Sequence, residues 1–199
     1  MLEDIDTERF RGERVGVALG GSSSERAVSL QTGEALAQAL RDADGGYEVE
    51  TYDFPSDLDR FVADPPAAVL IAFHGGAGEN GTIQGFFETL GVPYTGSGVL
   101  ASALALDKTR SKALFADAGL MTPSSATLAP GEVDDALDDL AGWLKRHDLQ
   151  TPLVVKPTDG GSSQGVSLCH SDDELVPAIE AAAGELGDGP AAGLLVEEY

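Results

Sequence analysis

Two short apolar runs, each cut off by glycines, constrain this chain more than any other feature. Residues 14–19 (RVGVAL) end at Gly20-Gly21 and the hydroxyl cluster Ser22-Ser23-Ser24, and residues 67–73 (AAVLIAF) end at His74-Gly75-Gly76. A run that is apolar throughout suits a strand buried on both faces, as in a parallel sheet covered by helices. The surrounding sequence alternates accordingly. Residues 25–40 place Val28, Leu36, Ala39 and Leu40 at helical intervals, residues 47–52 (YEVETY) alternate like a strand, residues 81–90 read as helix, and Pro93-Tyr94-Thr95 reads as a short strand. Strand, glycine turn and helix in this order predict a parallel α/β sheet whose ligands gather at the carboxyl ends of its strands.

The second half has a different rhythm. Residues 99–118 predict one long helix, closed by Gly119 and Pro123, and residues 130–147 a helical, acidic stretch in which Asp134, Asp135, Asp138 and Asp139 form a solvated face. Residues 153–156 predict a strand, 157–165 a glycine-serine loop, 166–169 its returning partner, 174–186 an alanine-rich helix and 194–198 a last strand. Helices with antiparallel strands indicate an α+β unit, so the chain divides near residues 97–105 into domains 1–100 and 101–199.

Charge narrows the functions available. The 199 residues hold 12 Lys+Arg against 34 Asp+Glu, a net charge of −22, and each half carries 6 basic and 17 acidic groups. Such a field repels nucleic acid and anionic membrane alike, which excludes both as generic partners and requires any phosphate ligand to be held by local cations. An evenly spread acidic coat points to adaptation to concentrated salt, the alternative being an ordinary acidic surface. The single cysteine, Cys169, allows no internal disulfide, follows an apolar stretch and reads as core filler in a reducing compartment. The acidic start has no signal-peptide pattern and no apolar run is long enough to span a bilayer, so a cytoplasmic location is expected.

Three loops carry candidate chemistry. GGSSSER (residues 20–26) sets glycines and hydroxyls at a helix N-terminus, with Glu25 in the first turn as either a dipole-stabilising cap or a carboxylate for a ligand ammonium group. HGGAGENGT (74–82) follows the most apolar strand and puts His74 at the ligand-facing end, for hydrogen bonding or proton transfer. KPTDGGSSQG (156–165) offers amides, hydroxyls and the Lys156 cation to phosphate oxygens, or is a plain hairpin turn. Only four lysines exist, and three of them, Lys108, Lys112 and Lys156, lie beside or within these candidate sites. Lys108 and Lys112 are four apart on one helix face.

With these residues in place the chain resembles the D-alanine–D-alanine ligases of the ATP-grasp superfamily. The resemblance runs over residues 14–199 and rests on LGGSSSERAVSLQTG (19–33), on residues 74–123 from HGGAGENGT to GLMTP, and on LVVKPTDGGSSQGVSL (153–168). It implies a Rossmann-like pre-ATP-grasp domain followed by an α+β ATP-grasp subdomain, with the C-terminal part of the fold absent. It implies that Glu25 holds the amine of the first D-alanine, with His74 orienting that carboxylate and the substrate. Lys108 and Lys156 would bind ATP phosphates, Gly161 and Ser163 would cover them, and Ser162 would join the network that positions Glu25 and the substrates. Glu197, Glu198 and Tyr199 match the strand-to-hinge segment beside adenine, with Glu198 standing where many members have lysine.

The activity implied is ATP-dependent joining of two D-alanines through an acylphosphate, for peptidoglycan precursor synthesis, by a cytoplasmic homodimer. The family's Mg2+ (or Mn2+) ligands, its oxyanion-stabilising arginine and its lid loop have no counterpart in these residues, so none of them is expected to hold metal and the 199-residue chain alone is expected to be inactive. Two alternatives stay open. One is a non-catalytic ATP or D-amino-acid binding module; the other is a ligase with a different second substrate, D-lactate or D-serine.

Overall fold

The computed structural model describes residues 9–43, 45–184, 186 and 193–199, and the chain divides into two units, Met1–Ala103 and Leu104–Tyr199. In the first, the glycine-cut apolar runs become the middle of a parallel sheet. Strand β1 (Arg14–Gly20) lies between β2 (Glu48–Phe54) and β3 (Ala68–Ile71), both parallel to it. Side chains alternate across β1. Val17 and Leu19 pack on Ala37 of α1 (Arg26–Asp42), while Ala18 joins Tyr52, Phe54, Phe61, Val69, Phe73 and Phe87 in a core on the opposite face. Phe61 comes from α2 (Leu58–Ala63), a helix with no clear sequence signal, and Phe87 from α3 (Thr82–Leu90).

Helix α1 sits close to β1 because Gly33 faces it: a Cβ on Gly33 would lie 2.5 Å from Leu19 Cδ2. The strand expected over 67–73 is shorter, Ala68–Ile71, although the Ala72 amide still donates to Ala18 O at 2.8 Å. The expected strand at 93–95 is a single parallel bridge, Val69 to Tyr94, with Val69 N–H to Pro93 O and Thr95 N–H to Val69 O.

The expected helix over 99–118 is corrected to two, α4 (Val99–Leu106) and α5 (Lys108–Asp117). Asp107 between them takes an extended ψ of 103° and its carboxylate accepts from the Arg110 amide, which is an N-cap rather than a mid-helix residue. Ser111 Oγ donates back to Leu104 O, satisfying a carbonyl of the last turn of α4.

Residues of the second unit form an antiparallel sheet in the order β4-β7-β5-β6, from β4 (Ser125–Leu128), β5 (Leu153–Pro157), β6 (Ser167–Cys169) and β7 (Leu194–Glu198). The four residues of β4 are too few and too mixed to show periodicity. The acidic helix over 130–147 is likewise corrected: a 3-10 turn, Pro130–Glu132, leads to α6 (Val133–Asp138) and α7 (Leu140–Arg146). Asp139 breaks the run by capping α7 through the Gly142 amide, so it is not simply part of a solvated face. Helix α8 (Leu175–Gly184) follows a 3-10 turn and is shorter than expected at both ends, with residue 185 outside the described residues. Trp143, Leu175 and Ile179 pack on Leu128, Leu153, Val155, Leu194 and Val196, and Cys169 is buried among them as core.

Candidate functional site

The first unit builds a pocket where its sheet changes direction. The chain runs from central β1 to β2 on one side and from β2 across to β3 on the other, and the loops after β1 and β3 part at that switch point. A cavity of about 230 Å³ opens there, walled by Phe54, Phe73 and Ile83 and rimmed by Ser22, Ser23, His74 and Gly75. Its size and mixed lining suit a small molecule with an apolar part and a few polar groups.

Hydrogen bonds fix the two loops against each other. Ser23 Oγ donates to His74 O at 2.6 Å and accepts from the Glu25 amide, and His74 Nε2 meets Thr32 Oγ1 of α1 at 3.1 Å. Beneath them the buried Ser29 hydroxyl accepts from Gly20 N–H and donates to Ala72 O, joining the ends of β1 and β3. Arg26 secures the turn from outside through a bidentate pair with Asp53 and a bond to Gly21 O. Glu25 stands at the N-cap of α1 but makes no side-chain capping bond, and its carboxylate reaches Gly75: a Cβ built there would lie 2.6 Å from Oε2. Gly75 has φ 66°, so the close approach and the left-handed backbone both require glycine. The Glu25 carboxylate thus comes up against Gly75, which lines the cavity together with its neighbour His74.

In the second unit the polar groups rise from the sheet face opposite the helical core. Lys156 pairs in register with Leu195 and Glu197 with Val154, so Lys156 and Glu197 are diagonal neighbours on one face, within reach of each other's long side chains. Glu197 accepts from Lys156 at Oε1 and from Lys112 at Oε2, the latter at 2.9 Å. Burial disfavours the Glu197 carboxylate, but hydrogen bonds from Lys156 and then Lys112 outweigh it and hold its pKa below the ordinary glutamate value. Lys112 was visible as a lysine near the site in a lysine-poor chain; its link to Glu197 had no sequence signal because 85 residues separate them.

Lys108 opens α5 and clamps the glycine-serine loop. Its amide donates to Thr158 O at 2.9 Å, and its ammonium donates to Gly160 O at 2.6 Å. Desolvation, then the positive charge of Lys156, pushes its pKa down. The loop itself is a hydrogen-bonded turn, Gln164 N–H to Gly161 O, in which Ser162 and Ser163 both take left-handed φ, 48° and 58°. L-residues adopt that region at a cost, and two in succession turn the loop backbone sharply. Glu198 donates its amide to Ser124 O, whereas the Tyr199 side chain is 78% exposed. Among the described residues no group of three or more His, Cys, Asp or Glu side chains is placed to hold a metal ion.

Comparison with known proteins places this geometry in a family. Residues 57–97 match the family model "D-ala D-ala ligase N-terminus", and residues 114–187 match "D-ala D-ala ligase C-terminus". A D-alanine–D-alanine ligase of Cereibacter sphaeroides is 48% identical over 169 residues, covering 84% of this chain and 51% of that protein. One of Anaeromyxobacter dehalogenans is 44% identical over 197 residues, covering 96% and 58%. The crystal structure of the Bacillus anthracis ligase complexed with ATP superposes with a TM-score of 0.74 at 33% identity, over 94% of this chain and 58% of that one. The chain thus spans only half to three fifths of the length of these relatives. Two family models in colinear order, identity above 40% and the shared fold of both units together show that this chain belongs to the D-alanine–D-alanine ligase family of the ATP-grasp superfamily.

Proposed function

We propose that this chain supplies the amino-acid pocket and the first nucleotide-binding part of an enzyme that joins two D-alanines at the expense of ATP, for peptidoglycan precursor synthesis and cell shape. The observation that carries this reading is the Glu25 carboxylate held against Gly75, which with His74 lines a small cavity, since a carboxylate beside such a cavity suits the ammonium group of a small amino acid. In this reading Glu25 pairs with that ammonium, and His74, braced by Thr32, orients it. Lys108 and Lys156 bind phosphate oxygens, the loop carrying Gly161, Ser162 and Ser163 covers them, and Ser162 also helps to position the substrates. Glu197, Glu198 and Tyr199 border the base.

The chemistry needs such cations. A carboxylate becomes an electrophile when one of its oxygens takes the terminal phosphoryl group of ATP and ADP leaves; the amine of the second D-alanine then attacks the acyl carbon, loses a proton and expels phosphate. Mg2+ or Mn2+ would lower the charge of the nucleotide, with ligands from outside these 199 residues. The enzyme is a cytoplasmic homodimer with small-molecule substrates, and neither nucleic acid nor membrane is among its partners.

The test joins this chain to the remaining part of the Anaeromyxobacter dehalogenans ligase and follows phosphate release from ATP as D-alanine is added. Release is expected in the unaltered chimera, and Glu25→Gln should raise the D-alanine concentration required by about tenfold or more, from loss of one ion pair in a partly enclosed site. A folded chimera whose D-alanine dependence ignores Glu25→Gln would remove the assignment.

A further inference from the structure

Lys112 has no role in the reading above, yet its ammonium is fully committed. It donates to Thr122 Oγ1 at 2.7 Å, to Pro123 O at 2.8 Å and to Glu197 Oε2 at 2.9 Å, and its side chain is only 14% exposed. An ammonium has three donors, so all of them are spent and Lys112 has none left for a ligand. Glu197, 12% exposed, is shared: its other oxygen is bonded to Lys156. The cation best placed to meet phosphate is thus tied to a carboxylate before any nucleotide arrives. If Lys156 turns to a phosphate, a mostly buried carboxylate loses one of its partners, which is costly unless a second cation remains.

We propose that Lys112 is a positioning residue that keeps the Lys156 ammonium available to nucleotide phosphate. By holding one oxygen of Glu197 it divides the pull of that carboxylate between two cations, and it keeps Glu197 paired when Lys156 moves to the ligand. The anchors at Thr122 and Pro123 fix the ammonium in place, so Glu197 has a second cation whose position does not depend on Lys156. Lys108 and Lys112, one turn apart on α5, then divide the work: the first holds the loop over the phosphates, the second restrains the carboxylate beside them. This inference rests on the nucleotide reading of Lys156, and its test is independent of nucleotide.

The experiment measures how fast Lys156 is acylated by a water-soluble succinimidyl ester in the 199-residue chain, read peptide by peptide by mass spectrometry. Lys112→Met should slow acylation of Lys156 by about threefold or more, because the whole charge of Glu197 then holds its ammonium in place. Lys112→Gln, which keeps hydrogen-bonding capacity without charge, should do the same if the methionine variant folds poorly. Lys112→Arg should stay within about twofold of wild type, since the guanidinium still pairs with Glu197. In a Glu197→Gln background the effect of Lys112→Met should vanish. A residue that only braces the fold would, when removed, loosen Lys156 and speed its acylation. Faster or unchanged acylation in folded Lys112→Met or Lys112→Gln, or slowing that persists without Glu197, overturns the proposal. Titration of ATP into the same proteins separates the two claims: slowed acylation with no ATP binding by wild type would leave the coupling standing and remove the nucleotide reading.

Discussion

The contact of Glu25 with Gly75 shows how little freedom the backbone has beside the cavity. A side chain at residue 75 would meet the carboxylate at 2.6 Å and would have to adopt φ 66°. Gly75→Ala is therefore expected to cost about 1–3 kcal/mol in urea unfolding and to displace the Glu25 carboxylate from its place against residue 75. A variant as stable as wild type, with Glu25 unmoved in a crystal structure, would contradict that. Glu197 gives a pH prediction of definite sign. Its folded pKa lies below the ordinary value of 4.5, so the folded state binds its proton less readily than the unfolded chain does. The resulting stability is present above about pH 4.5 and is lost as pH falls through the depressed folded value. Glu197→Gln should flatten that part of the acid unfolding curve, measured by dichroism from pH 6 downward.

Among single residues, the ones legible in the sequence were those in unusual contexts. Glu25 and His74 stood out because glycine turns follow strand ends, and Lys108 and Lys156 because the chain has so few lysines. What sequence could not supply was pairing across distance. The Glu197 carboxylate between Lys112 and Lys156 depends on the register of β5 against β7, and the tie of Thr32 to His74 depends on how α1 lies on the sheet.

Elements were read well where periodicity was long and poorly where a cap interrupts it. The runs at β1 and α3 fell within a residue or two of their bounds, because apolar spacing and glycine stops agree there. The single helix expected over 99–118 failed at Asp107, and the one over 130–147 at Asp139, since a capping aspartate inside a helical pattern looks like an ordinary polar position. Asp107→Ala should accordingly cost about 1 kcal/mol by urea unfolding through loss of its bond to the Arg110 amide. Helix α1 offers the opposite test. Gly33→Ala should raise helix propensity yet still destabilise, by about 1–3 kcal/mol, because the added methyl meets Leu19 of β1. Stabilisation by that substitution would mean α1 can move away from the sheet freely.

For the whole molecule, the excess of acidic groups sets two opposing demands. A net charge of −22 over 199 residues favours a fold that strengthens as salt screens repulsion, so far-UV dichroism and thermal midpoint should rise across a sodium chloride series. A fold fully formed and equally stable at low ionic strength would count against adaptation to concentrated salt. The same field makes an anionic nucleotide an unwelcome ligand except where cations gather, and the second unit gathers Lys108, Lys112 and Lys156 around one carboxylate and one loop.

Whether those lysines hold a nucleotide is read by calorimetric titration of ATP into the 199-residue chain. Wild type should bind ATP without forming dipeptide when D-alanine is added, while Lys108→Met and Lys156→Met should each weaken binding by about tenfold or more, as expected for loss of a partly desolvated phosphate contact. Equal affinity in all three proteins, or no binding by wild type, would contradict the nucleotide reading.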